Sequence, residues 1–277
     1  MKSLSHAIAA LLASATVVAS TALAHAFPAN ELGLPHDASV DGHHVDSLIK
    51  STGYMLGFLF VALVVWLLWA SLVHNEKHTA SHDDGTSKRA VWITCGIAGA
   101  IFFIVDGNLF FNSVSDLNKV FWNFEEVEKR PGVITIEINA HQWAWDARYA
   151  GPDGKFNTAD DIVSLNDIRI PVGAPVLFQV ASTDVIHSFY LPNFRVKTDA
   201  VPGMINRMWF EAKETGDFEI GCAQHCGVNH YKMRAILTVL PQEEYKVWAR
   251  EASLRSARAF DPKDLEAHWG WEWKQRK

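Results

Sequence analysis

The thirteen residues from Gly221 to Met233, GCAQHCGVNHYKM, crowd two thiols, an imidazole and a thioether into one short stretch. Soft sulfur and borderline nitrogen donors in that combination suit copper better than any hard cation. A single blue-copper ion takes one cysteine, two histidines and a weak axial methionine, so the second cysteine changes the stoichiometry of the site. Two thiolates can bridge two copper ions, each completed by one histidine. His230 supplies the first, and His187, in Asp184-Val185-Ile186-His187-Ser188-Phe189, is the candidate for the second. Zinc accepts Cys222, Cys226, His187 and His230 equally well, but gives no role to Met233.

Donors spread over two segments need a stiff frame. From Val133 the chain runs in short β-branched and aromatic stretches: 133–138, 162–170, 175–181, 206–212, 217–220 and 234–240, separated by Gly, Pro, Asn and Asp clusters. That pattern predicts an all-β sandwich or barrel over 133–241. Upstream, 51–73 is uncharged and apolar, and at about 1.5 Å per residue it spans about 35 Å, enough for a hydrocarbon core of about 30 Å. The apolar run 90–111 forms a second span, and Lys77, Lys88 and Arg89 place the intervening loop 74–89 in the cytoplasm. A two-helix transmembrane hairpin followed by an exported β domain results. Residues 1–26 read as a secretory signal peptide, 27–50 as an exported polar linker and 112–132 as a connector. Beyond Pro241, Tyr245, Trp248, Ala249 and Ala252 recur at helical spacing, so 242–277 is read as a short C-terminal helix and a tail containing Trp269, Trp271 and Trp273.

The net charge of -6 argues against nucleic acid and for a basic protein partner. Five aspartates between Asp146 and Asp167 face only Arg148 and Lys155; among them Asp146, Asp160 and Asp161 are candidates for attracting a cationic electron donor. Residues 151–161 resemble a calcium loop but lack the oxygen alternation and terminal glutamate of one, and are read as a turn plus an acidic surface loop. Three cysteines, two of them in the metal loop, rule out a disulfide scaffold, and no C-x-x-C-H is present to attach a haem to this chain. Asp106, about 24 Å along the second span from Ala90, lies near its outer end and within reach of water.

Five motifs in order, His141-Gln142-Trp143-Ala144-Trp145, D-V-x-H-S-F, Lys197 to Gly203 (K-T-D-A-x-P-G), C-x3-C and H-x2-M, resemble subunit II of the haem-copper cytochrome c oxidases, over about 51–251. The resemblance implies a cupredoxin-like Greek-key sandwich in which Cys222 and Cys226 bridge two copper ions (copper A). In it His187 and His230 complete one ion each, while Met233 and the backbone oxygen of Gln224 are weak ligands. It further implies that electrons from cytochrome c come in at Trp143, that Asp184 lies near the donor-docking surface, and that subunit I, reached past His230, performs the oxygen chemistry. Subunits I and III, cytochrome c and the lipid bilayer are the implied partners, and the periplasmic face of a bacterial inner membrane is the implied location. Gln224 stands where the family often carries a glutamate that helps hold magnesium, which argues against magnesium here. Arg89 stands near where a glutamate beside a proton channel is common, which argues against a role in proton uptake.

Overall fold

The first apolar run forms helix α1 (Gly42–Val73), which starts nine residues before the expected Ser51. The extra turns are amphipathic, so average apolarity hides them: Val45 and Leu48 turn toward the β domain, and Asp46 is bonded to Arg195. The computed structural model describes residues 33–79, 82 and 84–259, so the signal peptide expected over 1–26 and the tail tryptophans lie outside the described residues.

A second helical run comprises α2 (Lys88–Ile101), a π-helical turn Phe102–Asp106, α3 (Gly107–Asp116) and a second π turn Leu117–Phe121. Ser87 opens it by accepting a hydrogen bond from the Ala90 amide. Asp106 is the last residue of the first π turn. Over the stretch 112–132, expected as a connector, the helix runs on to Phe121 and is followed by α4 (Phe124–Glu128). Packing explains this. Val120 and Phe124 lie against Leu177, Val127 and Trp209, and the Trp209 indole donates to the Val120 carbonyl at 2.9 Å. Both helical runs, 32 and 41 residues counted through to Glu128, are long and apolar enough to cross a membrane.

Ten strands follow. One sheet has the order β3 (Ile162–Leu165), β2 (Ala144–Tyr149), β1 (Ile134–His141), β5 (Pro175–Ser182), β8 (Asn206–Glu211). The other has the order β4 (Asp167–Pro171), β10 (Arg234–Leu240), β9 (Gly216–Cys222), β6 (His187–Leu191), β7 (Val196–Ala200). Inward side chains of both sheets, including Ile136, Ile138, Phe178, Phe189, Phe210 and Leu237, form one core. The run 162–170, expected as one strand, is two strands in different sheets. Asn166 breaks it with a left-handed φ of 56° and is pinned to Trp145, whose amide donates to the Asn166 side chain at 2.9 Å. Helix α5 (Gln242–Ala259) closes the β3–β4 end, with Trp248, Ala249 and Ala252 against the core. The architecture is an apolar helical pair, a cupredoxin-like sandwich and a C-terminal helix.

Candidate metal centre

Sheet register sets half of the site. β6 pairs with β9 so that Phe189 faces Cys222, which brings His187, two residues earlier on β6, beside the first thiol. The Cys222 amide bonds across to the Met233 carbonyl at 3.2 Å, closing the loop on itself where β9 gives way to β10. A single 3-10 turn, His230–Lys232, then presents His230 and Met233 from opposite ends. The Cys222 and Cys226 sulfurs lie 3.7 Å apart. Cys226 Sγ is 3.6 Å from His230 Nδ1 and 3.7 Å from the Met233 sulfur, and that sulfur is 3.1 Å from His187 Nδ1. The Gln224 carbonyl lies 3.2 Å from Cys222 Sγ. The donor atoms of His187, Cys222 and Cys226 fall within 4.8 Å of one another, the only such group among the described residues. His230 meets the sulfur pair from the Cys226 side. All six residues expected as ligands therefore converge, whereas exposed His225 contributes only an edge contact, 5.5 Å between ring centres, to His230.

The electrostatics favour a thiolate. Burial opposes ionisation of Cys222, but hydrogen bonds from His187, the Ser188 and Gln224 backbone and Cys226 outweigh it and pull the thiol down to about 6. Burial and the neighbouring Cys222 thiolate push Cys226 up to about 12. Without metal, the pair holds on to one proton, which bound cationic charge would release. His187 is fully buried. Burial works against its charged form, yet its bonds to Cys222 and Asp184 raise its pKa above the ordinary histidine value. Its Nε2 lies 2.8 Å from an Asp184 oxygen, so Nδ1 is the nitrogen turned toward the sulfurs. A carboxylate on the far nitrogen is the usual device for orienting a metal-binding imidazole. The set of soft sulfurs and imidazole nitrogens, held in a mostly buried cradle, fits copper.

Asp184, expected near a docking surface, is exposed, and its carboxylate also accepts from the Gln142 amide at 2.6 Å and the Val185 amide at 2.5 Å and lies beside His187. Asp161 is a correction: it is 7% exposed, accepts from the Asn157 amide and lies 3.9 Å from buried Arg148, which also pairs with Glu137. A carboxylate spent there presents no charge to a partner. Asp146 and Asp160 stay partly exposed, Asp146 beside His141 at 3.3 Å. The acidic loop binds its own hydroxyl and amides, with Thr158 Oγ1 donating to Asp160 at 2.7 Å.

Trp143 is half-buried, and its indole donates to the Cys226 carbonyl at 3.2 Å. Gln142, across a cis peptide from it, donates its side-chain amide to the same oxygen at 2.8 Å. Gly227, with φ +117°, leaves room for both: a Cβ there would come within 2.9 Å of the Gln142 nitrogen. Trp145, fully buried, meets the His187 ring edge-on at 6.0 Å. Sequence reasoning missed Gln142 and Gly227, although each adjoins a residue it named.

Residues 134–240 match the family model "Cytochrome C oxidase subunit II, periplasmic domain". The alternative cytochrome c oxidase subunit 2 of Bradyrhizobium diazoefficiens is 29% identical over 232 residues, covering 75% of this chain and 80% of that protein. Cytochrome c oxidase subunit 2 of Alkalihalophilus pseudofirmus is 34% identical over 137 residues, 50% of this chain and 37% of that protein. Among solved structures, the periplasmic domain of subunit II of cytochrome oxidase of Bradyrhizobium japonicum is 34% identical, with 45% of this chain and 96% of that one covered and a TM-score of 0.40. Sequence and family matches over the strands that carry the sulfur loop agree, and the chain belongs to the cytochrome c oxidase subunit II family.

Proposed function

We propose that this chain is the electron-accepting subunit of a membrane-bound cytochrome c oxidase, taking single electrons from cytochrome c on the outer face of a bacterial inner membrane and relaying them to a haem-copper subunit I that reduces oxygen. The observation that carries this reading is the sulfur pair 3.7 Å apart, with one imidazole beside each thiol and a thioether between them. Two copper ions held there would supply a one-electron couple.

The chain's own residues prepare that couple. Cys222, Cys226, His187, His230, Met233 and the Gln224 carbonyl would hold the ions, and burial of His187, Cys226 and Met233 excludes water from the inner side. Asp184 fixes the His187 tautomer with its free nitrogen toward the sulfurs. Trp143 offers an aromatic ring, partly open to solvent, one hydrogen bond from the Cys226 backbone, a short covalent route inward for an electron arriving from a donor. Asp146 and Asp160 would attract a cationic donor, in a manner that weakens with salt. A structural zinc ion would leave Met233 and the Trp143–Cys226 contact without purpose.

The test is to purify the complex that holds this chain and measure metal content, near-infrared absorption and oxygen uptake with reduced cytochrome c. Two coppers per chain, with a near-infrared band, are expected, and Cys222→Ser or Cys226→Ser should abolish both the band and turnover. Retention of band and turnover in either serine variant overturns the reading.

A further inference from the structure

Beyond the metal centre, the molecule has a cavity of about 400 Å³ where the helices meet the sandwich. Its floor includes Leu48 of α1 and Leu117 of the second π turn. Leu48 precedes the uncharged stretch beginning at Ser51 by three residues, and Leu117 follows the end of the other apolar run, Phe111, by six. At 1.5 Å per residue, that places the cavity about 5–9 Å outside the hydrocarbon, the level of lipid headgroups. Below it Val114 and Phe110, 38% and 62% exposed, leave an apolar track along the helix. Trp122, 62% exposed, stands at the rim, as tryptophans do at a membrane–water boundary.

Most of the charge in the walls is already paired within the chain. Arg195, Lys197 and Arg207 line the cavity with a single carboxylate, Asp116, which is held by His44 at 3.2 Å. Asp46 and Glu128 engage Arg195 and Arg207. Lys197 is exposed and has no ion-pair partner among the described residues. One ammonium with no ion-pair partner, above an apolar track and beside two guanidiniums that are already ion-paired, matches the head of an anionic phospholipid: phosphate against Lys197, acyl chain descending over Leu48 and Leu117.

We propose that this seam is a binding site for one anionic phospholipid of the outer leaflet. The inference rests on the two helices crossing a membrane and is independent of the metal. In the intact membrane complex, a photoreactive phosphatidylglycerol should label peptides containing Leu48 and Leu117. Lys197→Gln should reduce that labelling about five-fold, the effect of one lysine near an anionic headgroup, and Lys197→Arg should restore it. Inorganic phosphate should not compete, since it brings no acyl chain. Equal labelling of wild type and Lys197→Gln, displacement of the label by inorganic phosphate, or a zero-length cross-link between Lys197 and a carboxylate of another subunit overturns the proposal. The near-infrared band, read in the same samples, separates the two hypotheses: loss of lipid leaves it unchanged, and its absence leaves the lipid result standing.

Discussion

Around the sulfur pair, two neighbours matter as much as the donors. Gly227 must both adopt φ +117° and admit the Gln142 amide and Trp143 indole to the Cys226 carbonyl. Gly227→Ala should therefore cost about 1–3 kcal/mol in thermal unfolding, the range for strained backbone, and should slow electron uptake from reduced cytochrome c while metal content holds. Asp184→Asn removes the charge opposite His187 Nε2. Copper affinity should fall about ten- to hundred-fold, measured by chelator competition. The donors themselves were legible because their spacing is local, C-x3-C-x3-H-x2-M, and only His187 had to be sought elsewhere. Illegible was the burial of Asp161, because an acidic side chain looks the same in a sequence whether it meets water or an arginine.

Strand patterning survived best where both sheet faces follow alternation, as in β10, and failed at Asn166, where one side-chain acceptor sends the chain from one sheet to the other. β2, β6 and β7 are legible as motifs rather than as strands, since polar residues such as Asp146, His187 and Lys197 interrupt their apolar rhythm. The C-terminal helix was legible from Tyr245 and Trp248, and its attachment carries a pH signature. Burial pushes the Tyr245 phenol up to about 12, and burial, opposed by a hydrogen bond from the Arg169 amide, also raises Tyr149; both rings meet Trp248. An unpacked phenol ionises at about 10, so between these values the detached helix has fewer protons than the docked one. Its packing is fully present below about pH 10 and is lost as pH rises toward 12. Alkaline titration followed by tyrosinate absorbance and tryptophan fluorescence should show this step, and Tyr245→Phe should weaken it.

A mostly buried ion pair helps fasten the helices to the sandwich. Arg195, in a left-handed conformation with φ 59°, reaches Asp46 of α1 at 2.7 Å, and the two side chains are only 5% and 14% exposed. Arg195→Ala removes the ion pair of a mostly buried carboxylate and should cost about 3 kcal/mol, measured by thermal denaturation of the full chain in detergent, with the near-infrared band unaffected. Asp46→Ala in the same chain should return part of that loss. Hydropathy alone could not foresee this clasp, because its two partners lie 149 positions apart. Because Cys222 ends a strand hydrogen-bonded to the one that begins with His187, half the donor cradle stands ready before any ion arrives. A metal would find two of its donors fixed by the sheet itself, with no coil to gather around them.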